Sequence, residues 1–277
     1  MTGTFAHLAA LLSWSQSRPE RERRRPRIGA PGEPAEVELH HESDWVTECV
    51  ANHAVLAAPY EPYDPAELRL ARDKLQRALD LIFATNSTSL AMIESALRRI
   101  GIRKRSCDPA PHGITRMHLI GTVFVRNPQT DQARILELSE ILVHESLHSY
   151  LLTLEQATPI FTHGRRVMIE RSVPSPWTGK QIELYAYFHA VAVWYCLSRF
   201  LSAVPSSESE PWIERRLHLI RRGFAKLDQQ PYASLHRLTN LEPSFARTLH
   251  RWVSAMREEE PPNPERPLAG APGPPAS

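Results

Sequence analysis

Cysteine is scarce in this chain, and what there is makes no pattern. Cys49, Cys107 and Cys196 are odd in number, widely spaced and form no C-x-x-C pair, so no disulfide framework can be read and the usage suits a reducing cytoplasm. Long apolar runs are missing too. No stretch reaches membrane-spanning length, and the N-terminus lacks the basic region, apolar core and small-residue cleavage site of a signal peptide. A cytoplasmic protein without a membrane partner is the expectation. Charge of one sign is also lacking: 33 Lys and Arg stand against 31 Asp and Glu, a net +2, too near balance to imply a nucleic-acid surface. There is no internal repeat to suggest a solenoid.

What remains is enough apolar residue, 42% of 277, for a sizeable core in one domain. Residues 1–39 read as a flexible N-terminal segment, with residues 16–38, which hold the basic, proline-rich run Arg18 to Pro34, as linker, and residues 259–277 as a disordered proline-rich tail. The expected domain spans 40–258. Within it, Ser43 or Asp44 can start a helix through Ala57. Asp64-Pro65 with Glu67 is a strong helix start, followed by the apolar face Leu68, Ala71, Leu75, Leu79 and Ile82. A third helix, capped by Ser87 or Thr88, should end at Gly101. Ile114 to Val125 suits two short strands divided at Gly121. The fold class is therefore α+β and predominantly helical, with a short strand pair beside a central helix.

That central helix, expected from an Asp131 cap to about Glu155, carries Val143-His144-Glu145-Ser146-Leu147-His148. Residues four apart stand one above the other on a helix, so His144 and His148 can aim two imidazoles at one point, while Glu145 points about a quarter-turn away. An H-E-x-x-H set so placed grips a divalent metal, and the adjacent carboxylate can take a proton or orient a ligand. From Ala157 to Gly179 prolines and glycines forbid long regular structure. A loop of that length makes Arg165, Arg166, Arg171, Ser175, Trp177 and Lys180 candidates for contacting substrate or cosubstrate. The run Gln181 to Leu197 is apolar nearly all round and reads as a buried helix, interrupted by Glu183 and His189. Six residues apart on one helix, these two cannot both face the same metal. Glu183 as third ligand makes a zinc metallopeptidase with Glu145 as general base. His189 as third ligand makes a three-imidazole iron(II) site with positions open for a 2-oxo acid and dioxygen. A non-catalytic peptide-binding module is the third possibility. Helices at about 212–227 and 243–257 complete the domain.

The combination of His144-Glu145-x-x-His148 with Ser175-Pro176-Trp177-Thr178-Gly179-Lys180, then Leu184, His189-Ala190 and Val193-Trp194-Tyr195, resembles the bacterial H-E-x-x-H peptide-modification family over about residues 85 to 200. The resemblance implies a 2-oxoglutarate-dependent oxygenase that hydroxylates the β-carbon of a residue in a ribosomally made natural-product precursor peptide. Carried over position by position, it makes His144, His148 and His189 the iron(II) ligands, with Glu145 beside them as the catalytic carboxylate. Where the family often has an arginine between two prolines, this chain has Gln181-Ile182-Glu183. Lys180 and then Arg171 are the nearest cations for the 2-oxoglutarate carboxylate, and Ser175 and Trp177 are the expected substrate contacts.

Overall fold

The computed structural model describes residues 38–41, 61–85, 88–117, 119–161, 172–205, 211–227 and 241–258. The N-terminal segment before residue 38, the helix expected up to Ala57, the cations Arg165, Arg166 and Arg171, and the tail after residue 258 lie outside the described residues. The rest is mixed α/β and mostly helical.

Twelve elements follow one another: β1 (Glu38–His41), α1 (Pro65–Ala84), α2 (Thr88–Ala96), β2 (Arg99–Arg103), β3 (His112–Thr115), β4 (Thr122–Arg126), α3 (Ile135–Ala157), β5 (Ser172–Pro174), β6 (Gln181–Glu183), α4 (Leu184–Ala203), α5 (Pro211–Lys226) and α6 (Pro243–Glu258). α1 begins where its sequence says it should. Asp64 accepts from the N–H groups of Ala66 and Glu67, while Glu67 accepts from the Asp64 N–H, with Pro65 at the first helical position.

Two departures change the expected strands: one enlarges the strand pair into a four-stranded sheet, and the other adds a separate two-stranded one. α2 stops at Ala96 rather than Gly101, because the N–H groups of Arg98 and Arg99 both turn to the Gly121 carbonyl and the chain leaves as β2. Ile100 and Ile102 of β2 are fully buried, as a parallel strand covered on both faces requires. β1 lies at the sheet's edge and begins at Glu38, two residues before the expected start of the domain at residue 40. The sheet order is β1-β2-β4-β3, with β1, β2 and β4 parallel and β3 antiparallel to β4. β3 and β4 are the two strands read from the sequence, and both pack on α3. The other departure joins the end of the expected loop to the start of the expected helix, so that α4 starts at Leu184 rather than Gln181: Ser172–Pro174 and Gln181–Glu183 are strands β5 and β6, paired antiparallel around a turn in which the Gly179 N–H donates to the Ser175 carbonyl. Gly179 takes φ +71° there, a conformation costly for other residues.

α3 is the helix the others are laid against: α1 and α2, α4, and the β3–β4 pair all contact it. Arg134, not Asp131, occupies its N-cap, without a side-chain cap. Lys74 holds the preceding turn instead, donating to the Thr130 and Ala133 carbonyls at 2.6 and 3.2 Å. Ser139 hydrogen-bonds the Ala78 carbonyl of α1 at 3.1 Å, so a buried hydroxyl finds a partner across the helix contact.

Gly101 faces Phe124 across the parallel ladder. A Cβ on Gly101 would lie 2.4 Å from the Phe124 ring, and that ring is itself buried. Gly101→Val should therefore destabilise the fold by about 1–3 kcal/mol, seen as a lower thermal midpoint; an unchanged midpoint would show that the ring has room to move.

Candidate functional site

The two helix histidines meet as their spacing implies. On α3, the Nε2 atoms of His144 and His148 stand 3.2 Å apart, with ring centroids at 5.0 Å. Two nitrogens bound to one ion at about 2.0–2.1 Å and a near-tetrahedral angle sit roughly 3.3 Å apart, so the pair already has the separation of two ligands. The chemistry fits as well. Burial, helped by the charges of Arg216 and His112, pushes the His144 imidazole down to about 4. Burial, then the neighbouring His144 and His189, pushes His148 well below its ordinary value. Both rings are thus neutral at pH 7, which is the form that offers a lone pair to a metal.

Glu145 turns away from the pair, toward β3. Room for it comes from Gly113, where a Cβ would fall 2.7 Å from the Glu145 Cγ and 2.6 Å from the Ile141 Cγ2. The Thr115 hydroxyl donates to the Glu145 backbone carbonyl at 2.8 Å, tying the strand to the helix at this level. Burial raises the Glu145 carboxyl to about 7, partly offset by hydrogen bonds from Thr115. A carboxyl poised there can carry or accept a proton near neutral pH.

His189 and Glu183 separate. Glu183 is exposed, in β6 ahead of α4, and among the described residues it contacts neither helix histidine. His189, one and a half turns into α4, is only 2% exposed, and its ring stacks on that of His148 at 5.8 Å and 15°. Its Nε2 is engaged elsewhere, 2.5 Å from the Glu155 Oε1, while the Tyr185 hydroxyl donates to the other oxygen at 2.8 Å. Glu155 was not singled out by sequence reasoning. A signal existed, because it follows His148 by seven residues, two turns along the same face of α3. Among the described residues no three His, Cys, Asp or Glu side chains converge as a ready-made metal group. A set of three imidazoles would require His189 to bind through Nδ1 or to release Glu155.

Aromatic rings wall the site on the other side. Trp194 of α4 stands edge-on to His144, with centroids 5.9 Å apart, and Trp177 from the β5–β6 turn stacks on Trp194 at 5.7 Å. The Arg216 guanidinium lies over Trp194 at 4.8 Å and pairs with buried Glu140 at 2.5 Å, so a charge near His144 is already compensated. The other expected contacts are less central. Lys180 is exposed at the hairpin. Ser175 is buried and builds its turn, its hydroxyl accepting from the Thr178 N–H and its backbone N–H donating to the Lys180 carbonyl. Trp177 is buried as well and donates its indole N–H to the Ile220 carbonyl at 3.1 Å.

No protein-family model matches this chain, and no curated protein matches it either.

The Glu145 carboxyl yields a pH test. Its folded value near 7 lies above the ordinary 4.5, so the folded state holds a proton between those limits that the unfolded chain has lost. This group's contribution to stability therefore falls as pH rises from about 4.5 to 7. Glu145→Gln should stabilise the metal-free protein by about 1–3 kcal/mol at pH 8 and by much less at pH 5, measured by chemical denaturation with chelator present. Equal effects at both pH values would show the carboxyl to be ionised throughout.

Proposed function

We propose that the protein is an iron(II) and 2-oxoglutarate-dependent oxygenase that hydroxylates the β-carbon of a residue in a ribosomally made peptide. The single observation that carries this reading is the facing pair of neutral imidazoles on α3 with the His189 ring stacked beside it. Glu183, the alternative third ligand, is exposed. The resemblance of the His144 and His189 motifs to the peptide-modification family supplies the reaction class. Iron(II), when bound with 2-oxoglutarate, supplies an oxidant made from dioxygen: one oxygen atom enters the peptide C–H bond and the other enters succinate, with carbon dioxide released.

The chain's own residues have definable work in this. His144, His148 and His189 would hold the metal through neutral nitrogens. Glu155, bonded to both His189 and Tyr185, fixes the His189 ring, as carboxylates commonly do beside metal-binding imidazoles. Glu145 keeps a proton available at the wall under β3. Trp194 and Trp177 exclude water on the far side and give the oxidant aromatic surfaces rather than solvent. β3 is the last strand of the sheet, and its outer edge suits an extended peptide laid along α3. For the 2-oxoglutarate carboxylate, Lys180 is the exposed cation of the hairpin, and Arg171 is the second candidate.

One observation favours a second reading. A buried carboxyl near 7, adjacent to paired metal-type histidines, also suits a general base in a zinc peptidase. In that case Glu155 replaces Glu183 as the available carboxylate ligand, since it lies on the stripe of His144 and His148.

The test is incubation with a library of synthetic peptides, iron(II), 2-oxoglutarate and dioxygen, read by mass spectrometry. The proposal expects a gain of one oxygen atom on a susceptible peptide, with one succinate per product. It also expects His189→Ala to lower iron affinity more than Glu155→Ala does. Oxygen-independent chain cleavage with zinc, together with the reverse order of the two variants, would establish the peptidase instead.

A further inference from the structure

Outside the histidine site, a cleft of about 680 Å³ between α5 and the turn of the β5–β6 hairpin has no assigned task. Its floor is Trp177, and one wall is the outer face of α5, carrying Glu214, Arg215, His218, Arg222 and Lys226. The floor is built, not incidental. The Trp177 indole is hydrogen-bonded to the Ile220 carbonyl, and Gly223 makes space for it, because a Cβ there would lie 2.1 Å from the ring. On its other face the same ring stacks on Trp194, the neighbour of His144.

Three guanidinium or ammonium groups and an imidazole confront one carboxylate in this cleft. All five side chains are exposed, and among the described residues none of Arg215, His218, Arg222 and Lys226 has an ion-pair partner. A cationic stripe on an open helix face would simply be solvated. Here the stripe is one side of a groove whose opposite side is the backbone of a tight turn, and a groove bounded by low-dielectric walls strengthens the field of its charges. Its pitch is informative. His218, Arg222 and Lys226 are four residues apart, so they recur every ~6 Å along α5 at about 1.5 Å per residue. Alternate side chains of an extended chain recur every ~6.6 Å.

We propose that this groove binds an acidic, extended segment of the peptide substrate, with carboxylates at every second residue facing α5. The inference rests on the peptide-acting reading above and adds to it the chemistry of the recognition segment. The Trp177–Trp194 stack leads from the groove floor to His144, so the two are near enough for one peptide to reach both. Its acidic segment would then lie roughly four or more residues from the one that reacts, given ~3.3 Å per extended residue.

The experiment uses the full-length metal-free protein and fluorescence anisotropy, so it does not depend on iron or on turnover. The probe is a fluorescein-labelled peptide with glutamate at alternate positions among serines, compared with its glutamine counterpart. The glutamate peptide should bind, its affinity should fall steeply with added salt, and Arg222→Glu with Lys226→Glu should weaken it at least tenfold. The same charge change on α6, Arg247→Glu with Arg251→Glu, should cost less than twofold. Equal binding of the glutamine peptide, equal losses in the two variants, or tighter binding of a single-stranded oligonucleotide would overturn the proposal. Failure of iron to bind would leave this result standing, and loss of peptide binding would leave the metal reading standing.

Discussion

The arrangement depends on keeping two imidazoles uncharged inside a helix bundle. Protonating either His144 or His148 would place a cation where burial has already driven both rings toward the neutral form, with the Nε2 atoms only 3.2 Å apart. Two like charges at that distance in a poorly solvated site repel strongly. A divalent ion held between the rings would take both lone pairs and keep the imidazoles neutral. Packing around α3 follows the same constraint: α1, α2 and α4 exclude water from most of the helix, while β3 covers the Glu145 side.

Opposite electrostatic demands are met within one turn. His144 and His148 need to be neutral to donate lone pairs, and burial does this. The same burial makes Glu145 hold its proton to about pH 7. Glu140, one turn earlier, is paired with Arg216, and burial, partly offset by that guanidinium, raises its carboxyl as well. Glu155 shares its two oxygens between His189 and Tyr185. Three glutamates on one helix thus stand in three distinct environments.

Much of this was legible because it is local. Asp64, Pro65 and Glu67 satisfy the first turn of α1 among themselves, and the His144–His148 spacing is helix geometry alone. β2 was not legible. Five residues with Gly101 at the centre resemble a helix end, and only the partners on either side, β1 and β4, make them a strand. β5 and β6 are three residues each, too short for a periodic signal among prolines and glycines. The link between Glu155 and His189 joins residues far apart in sequence, so the spacing could suggest it but not establish it. Glu183 and His189 do not share one helix as the apolar run suggested: Glu183 ends β6 and is exposed, while His189 lies buried in α4. Ser175 and Trp177 are singled out as substrate contacts by residue type alone; the fold adds that Ser175 closes its turn and that Trp177 forms the floor of a groove.

The most direct measurement is a visible difference spectrum of the protein stripped of metal, reloaded anaerobically with iron(II) and titrated with 2-oxoglutarate. Chelation of iron(II) by a 2-oxo acid produces a charge-transfer band that a zinc site cannot. The account predicts that the band appears and that His189→Ala abolishes it. Iron binding at His144 and His148 without the band would contradict it, and would direct attention to zinc, Glu155 and peptide cleavage.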